Sequence, residues 1–378
     1  MATLKDIQDA AVAHTGLDDF GDDTYREGLE VLLASLRDEA RLNARGEAFI
    51  RQRIIGYLGQ RLQVEDWYHR HPEIDDQPIA APLIGLGLPR TGSTALSMLL
   101  AQDPDVRYLR RWESSQPCPP PSTVEGVDPR VPPDKGEMIG SRYHVPTDTH
   151  GPMECHELMA LSFCSHIFQS FAQMPTYSTW LVETADLHST LSYQRRVMKL
   201  LQWGEPTRRW RLKCPSHVLW LEQLDSVFPD AKYVMTHRDP TDVILSVAEL
   251  YADIVGSFTD DMDKPYLGRL NVDHWSLGMD RVLAFRAGPA ADRFYDIDFR
   301  AMQDDPIGEV EGLYRWLDES VSAEFEARMR NWWTRAAAER EPSQRADPIE
   351  FGIDPERVRP RFADYVEHAH RWTTHENH

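Results

Sequence analysis

Cysteine is scarce in this chain: Cys118, Cys155, Cys164 and Cys214 are the only 4 among 378 residues. None forms a CxxC pair or a zinc-ligand spacing, which excludes a disulfide framework and points to free thiols in a reducing compartment. Long apolar runs are missing as well. The N-terminal Met1-Ala2-Thr3-Leu4-Lys5-Asp6 lacks the apolar core of a signal peptide, and no segment approaches the roughly 20 apolar residues of a membrane span. The expectation is a soluble, cytoplasmic protein with no integral membrane segment. Positive charge is in deficit, with 41 Lys and Arg against 61 Asp and Glu and a net charge of −20. Such a surface repels a nucleic-acid backbone, which argues against a nucleic-acid partner but leaves room for a local basic pocket.

What is present is an ordinary core complement, 41% hydrophobic, arranged in two patterns. Residues 1–79 read as a helical N-terminal segment packed on the main domain. Leu29, Val31, Leu32, Leu33 and Leu36 suit an amphipathic helix within 25–43. Ile54, Ile55, Leu58 and Leu62 suit another within 48–69, which His71-Pro72 ends. Residues 80–378 alternate strand and helix. Ala80 to Leu88 is a short apolar run of the kind buried on both faces of a sheet. Further strands are predicted at Arg208–Cys214, Ala231–Arg238 and Arg293–Phe299, and Arg107–Arg111 is strand-like. Helices are predicted over about 153–171 and 187–203, around a proline-rich loop at 116–136. The fold class is therefore α/β: a three-layer, P-loop-like fold with a central parallel sheet flanked by helices, plus the helical N-terminal segment.

The first strand runs into Gly87-Leu88-Pro89-Arg90-Thr91-Gly92-Ser93-Thr94. Gly87 and Gly92 have the spacing of GxxxxGK[ST], but Ser93 replaces the lysine while Thr94 keeps the hydroxyl. Such a loop turns successive N–H groups toward one anion, and the helix behind it adds its positive end. Arg90 adds a planar cation suited to an oxyanion. Without the lysine the loop is poorly suited to ATP hydrolysis with magnesium, and better suited to a shorter 5′ group that needs no metal. Arg238 closes a later predicted strand, Asp239-Pro240 opens the next helix, and Ser246 lies on it. Ligands sit beyond the carboxyl ends of parallel strands, so two such ends suit the two ends of one nucleotide.

Together, Pro89-Arg90-Thr91-Gly92-Ser93-Thr94 and His237-Arg238-Asp239-Pro240 with Ser246 resemble the two nucleotide motifs of sulfotransferases that use 3′-phosphoadenosine 5′-phosphosulfate (PAPS). The resemblance is to the bacterial, mycobacterial-type branch, and more distantly to tyrosylprotein sulfotransferases. It runs from about residue 16 to 367 and takes in Trp112-Glu113, Lys213-Cys214-Pro215-Ser216-His217 and Phe351-Gly352-Ile353-Asp354. It implies that Arg90, Thr91, Gly92, Ser93 and Thr94 bind the 5′ side of PAPS and that Arg238 and Ser246 bind the 3′-phosphate. The late loop that closes over that phosphate in many sulfotransferases reads Arg340 to Asp347 here and lacks glycine. Arg340 and Arg345 are its candidate cations.

Sulfuryl transfer to a hydroxyl requires a base for the acceptor proton and charge balance on the transferring and leaving oxygens. By the resemblance Arg90 and Lys213 supply the charge, and Glu113 is the counterpart of the acceptor base. Arg110 and Arg111 beside Glu113 oppose the raised pKa a carboxylate base needs. His144, His150 and His156 compete for the role, because histidine titrates near neutrality. Glu154-Cys155-His156-Glu157 is a dense polar cluster. It starts like HExxH, but Ala160 rules out that zinc site, and no metal is expected. Phe168, Phe171, Tyr177 and Trp180 are either the wall of an acceptor pocket or core. The acceptor is expected to be a small-molecule, lipid or glycan hydroxyl. The rival readings are a P-loop kinase and a non-catalytic nucleotide-binding protein.

Overall fold

The computed structural model describes residues 3–131, 150–338 and 346–374. Helices α1 (Leu4–Thr15), α2 (Arg26–Asp38) and α3 (Ala44–Arg70) come first. Local chemistry starts them. Thr3 forms a capping box with Asp6, and the Asn43 side chain accepts from the Gly46 N–H at the head of α3. Strand β1 (Leu83–Gly87) leads into α4 (Ser93–Leu100), then β2 (Val106–Tyr108) and the short α5 (Arg111–Ser115). After the proline-rich loop come α6 (His156–Ala160), α7 (Pro175–Glu183) and α8 (Leu187–Gln202). Strand β3 (Arg209–Lys213), α9 (Leu221–Val227), β4 (Lys232–His237), α10 (Pro240–Val255), α11 (Lys264–Arg286) and β5 (Phe294–Asp298) follow. The chain closes with α12 (Phe299–Asp304), α13 (Pro306–Trp316), α14 (Ala323–Ala338), α15 (Pro355–Arg361) and α16 (Ala363–Thr373).

All strand pairs are parallel, in the order β2-β3-β1-β4-β5. Alternate side chains along each strand enter different cores, as the pleat requires. Leu83, Val234, Tyr295 and Ile297 join one cluster with α4, α13 and α14. Ile84, Leu86, Tyr233, Met235 and Phe294 join the other, which contains α8 to α11 and also Leu29, Leu32, Leu58 and Leu62 of the N-terminal helices. The result is three layers, helix on sheet on helix. The chain leaves β1 toward β3 and β2 on one side, and later builds β4 and β5 on the other. The carboxyl end of β1 is thus the topological switch point, where ligands settle in such sheets.

The helix expected over 153–171 is broken. It resolves into α6 and a 3-10 turn at His166–Ser170, with Phe163 at φ 55° between them. Tertiary bonds hold the break open. Tyr177 Oη donates to the Phe163 carbonyl at 2.8 Å, and Ser165 Oγ donates to the His156 carbonyl at 2.8 Å. Apolar periodicity does not reveal such long-range bonds.

Candidate active site

The loop after β1 is built by its neighbours. Gly85 stands level with Lys213 of β3, and a Cβ there would lie 3.1 Å from Lys213 Cγ. The bare backbone makes room for the lysine side chain against β1. Arg90 takes φ 64°, a left-handed conformation that non-glycine residues adopt at a cost. Gly92, at φ 90°, caps α4, whose first N–H groups have no intrahelical acceptor.

The two predicted nucleotide motifs meet at this loop. Arg90 Nε donates to Ser246 Oγ at 3.2 Å, across 156 positions of sequence. Arg238 Nη1 donates to the Arg90 carbonyl at 3.1 Å, across 148 positions. Its guanidinium also lies over the Phe299 ring, 4.5 Å from the centroid. Asp239 caps α10 by accepting from the Thr241 N–H, which sets the turn that delivers Arg238 and Ser246. Thr91 plays a different part. Its side chain is fully buried; Oγ1 donates to the Leu88 carbonyl at 2.7 Å and shares a 2.6 Å hydrogen bond with Thr236 Oγ1. The hydroxyl braces the loop, so only the Thr91 backbone is left to face an anion. Ser93 is buried and Thr94 half-buried at the head of α4.

Lys213 ends β3 on the other flank of the loop. Its ammonium donates to Thr94 Oγ1 at 3.2 Å and to Glu154 Oε1 at 2.5 Å. Glu154 Oε2 lies 3.2 Å from His156 Nδ1, and His156 Nε2 lies 2.7 Å from Ser216 Oγ. Ser216 Oγ in turn contacts Cys214 Sγ at 3.2 Å. Burial alone would push the Glu154 carboxyl up, but the charge of Lys213 and the hydrogen bond from His156 hold it well below the usual carboxylate range. Burial works against a charged His156; Cys214 and Glu154 outweigh it and raise the imidazole to about 10. Its two ring nitrogens face Glu154 and Ser216. His217, next to Ser216, is fully buried with neither ring nitrogen hydrogen-bonded among the described residues, and burial pushes it down to about 3.

Glu113 has a different set of partners. Its carboxylate is fully enclosed and accepts from Arg107 Nη2 at 2.7 Å, Arg110 Nη1 at 3.0 Å and the Arg110 N–H at 3.1 Å. The turn from β2 into α5 is therefore tied down by an acid between two arginines. Among the competing histidines, His156 joins the Lys213 cluster. His150 is exposed, while His144, Arg340 and Arg345 lie outside the described residues. Phe168 and Tyr177 pack on each other's ring edges, Phe171 packs on Phe49, and all three are buried core residues. Trp180 is half-buried, with Nε1 donating to Glu27 at 3.1 Å.

Comparison with known proteins matches residues 82–323 to the sulfotransferase family model. The chain belongs to the sulfotransferase family. Among solved structures it is similar to sulfotransferase STF9 from Mycobacterium avium, at 32% identity and a TM-score of 0.88, covering 97% of each chain. It is also similar to sulfotransferase STF1 from Mycobacterium tuberculosis, at 29% identity and a TM-score of 0.83, covering 96% of this chain and 99% of that one. Comparison with curated proteins yields no match. The family reaction moves the sulfuryl group of PAPS to an acceptor hydroxyl, and this sulfotransferase catalyses it.

The residues fit that donor. A glycine-lined loop at a helix head, Arg90, Arg238 and Lys213 offer hydrogen-bond donors for an anion at both ends. Among the described residues, no group of three or more His, Cys, Asp or Glu is placed to hold a metal ion, and no helix is long and apolar enough to cross a membrane. Sequence reasoning singled out Lys213 but did not attach Glu154 to it. The two lie 59 positions apart, and the only signal was the density of polar residues in Glu154-Cys155-His156-Glu157.

Proposed function

We propose that this sulfotransferase binds PAPS with Arg90, Ser93, Thr94 and the loop backbone on the 5′-phosphosulfate and with Arg238 and Ser246 on the 3′-phosphate. Lys213 stabilises the leaving oxygen, and Glu154 takes the acceptor proton. Glu113, the base suggested by resemblance, is assigned here to anchoring the β2–α5 turn, since both of its oxygens are taken up by Arg107 and Arg110. One observation carries this reading. The Lys213 ammonium touches Thr94 of the donor loop and Glu154 at the same time, which sets leaving-group charge and acceptor base on the two sides of one cation.

In the reaction, the acceptor O–H gives its proton to the Glu154 carboxylate as the acceptor oxygen bonds to sulfur. The bond from sulfur to the 5′-phosphate oxygen breaks in line, and Lys213 balances the charge left on that oxygen. The acceptor belongs to the small-molecule, lipid or glycan hydroxyls. Residues 1–79 act as a helical cover on an 80–378 catalytic domain. A cytoplasmic location suits four free cysteines, all buried. The test is sulfuryl transfer to a panel of phenols, sugars and lipid alcohols from labelled PAPS. Glu154→Gln and Lys213→Ala are each expected to lower kcat by about 100-fold or more. Full activity in Glu154→Gln overturns the base assignment.

A further inference from the structure

We infer that Glu154 and the anionic donor compete for the single ammonium of Lys213, so that donor binding itself frees Glu154 to act as base. The inference rests on the assignment of Glu154 as acceptor base and adds a coupling between the two substrates. Lys213 is buried apart from a small fraction, with its side chain 9% exposed. Its reach is set by β3 and by its packing on Gly85. Two of its three protons are directed at Thr94 Oγ1 and Glu154 Oε1. A buried cation with so little freedom cannot pair fully with a carboxylate and a phosphosulfate together. The more highly charged donor, already fixed by the loop, draws the ammonium toward itself.

The consequence falls on Glu154. An ammonium held 2.5 Å away makes the carboxylate a weak proton acceptor. Lys213 is the largest influence lowering the carboxylate and His156 the lesser one, so when the donor neutralises the ammonium the carboxylate regains part of its basicity just as a sulfuryl group becomes available. Release does not let Glu154 drift, because His156 holds Oε2 from the other side and is itself fixed on Ser216. His156 is thus a positioning residue. Without donor the base is quenched, and the acceptor proton is taken only when transfer can follow. The proton balance is the one given above: acceptor proton to Glu154, then to solvent after the 5′-phosphate product leaves.

The competition makes a prediction that an ordinary catalytic acid does not. Replacing Glu154 abolishes turnover yet strengthens donor-site binding, because Lys213 loses its rival. The experiment is calorimetric titration of 3′-phosphoadenosine 5′-phosphate, the donor product, into wild type, Glu154→Gln, Lys213→Met and the double variant at physiological salt. Glu154→Gln is expected to bind about tenfold tighter than wild type, and the gain is expected to shrink below about twofold in the Lys213→Met background. Lys213→Arg, which keeps a cation in place, is expected to preserve the gain. Unchanged or weaker binding in Glu154→Gln overturns the competition, as does an equal gain without the lysine. Wild-type kcat in Glu154→Gln instead overturns the base assignment, whatever the affinity. Heat denaturation of each variant confirms that the fold is intact.

Discussion

A carboxylate is defined by what shares its oxygens, and two glutamates here show opposite outcomes. Glu113 is enclosed by Arg107 and Arg110, while Glu154 faces Lys213 and His156 at the donor loop. Burial pulls the Arg107 pKa down, and Glu113 is its main compensation. Glu113→Gln therefore leaves a buried guanidinium poorly paired, and is expected to cost about 3 kcal/mol of stability. A heat-denaturation midpoint lowered by several degrees, with kcat per folded molecule reduced far less than in Glu154→Gln, is the expected outcome. Lys213 and Arg90 could be singled out in the sequence, because a strand-end lysine and a loop arginine are local signals. The division of labour between the two acids was not. Both sit in polar surroundings in sequence, and only the partners brought by distant segments tell them apart.

At the level of elements, the loop between β1 and α4 works only with α10 beside it. The hydrogen bonds from Arg90 to Ser246 and from Arg238 to the Arg90 carbonyl join the two. Arg238→Ala removes both a cation and this brace. It is expected to weaken 3′-phosphoadenosine 5′-phosphate binding by about 10- to 100-fold with little change in stability, measured by the same calorimetry. Ser246→Ala is expected to do less, since it removes a neutral group. Most elements were readable: the apolar strands, the Asp239-Pro240 helix start and the apolar patterns of α2 and α3 all act locally. The break after α6 was not, because Tyr177 and Ser165 impose it through tertiary hydrogen bonds. Thr91 was assigned to the donor by its motif; that its hydroxyl faces Thr236 on β4, leaving the backbone for that part, was not readable.

Across the whole molecule, buried histidines tie stability to pH. Burial pushes His217 down to about 3 and His274 to about 4, with His166, stacked on His274, also lowered. An unfolded histidine takes a proton near pH 6.5. The folded chain refuses it, so their stabilisation is complete above about 6.5 and is lost as pH falls toward 4. Asp296 extends the loss. Burial opposes its charge, but Arg286 and His237 hold it at about 2, so its contribution is present above the unfolded value near 4 and disappears as pH falls toward 2. His156 has the opposite sign: raised to about 10, it stabilises below the unfolded value near 6.5 and ceases to do so as pH rises through 10. The heat-denaturation midpoint is expected to fall steadily from pH 7 to pH 4, and His274→Gln is expected to flatten that slope. A midpoint independent of pH over this range contradicts the reading.

Sequence alone determined the kind of protein this is. Short apolar runs dictate a parallel sheet. A glycine-spaced loop with serine in the lysine position dictates an anion site unlike that of a kinase. Two separated motifs point to one nucleotide. These are local or periodic properties, and a chain carries them before it folds. Which carboxylate meets Lys213, which hydroxyl is turned inward and which histidine is charged were decided only by the tertiary structure. Those outcomes depend on burial and on partners from segments 59 to 145 positions away, and a charge acquires its pKa from whatever surrounds it in space.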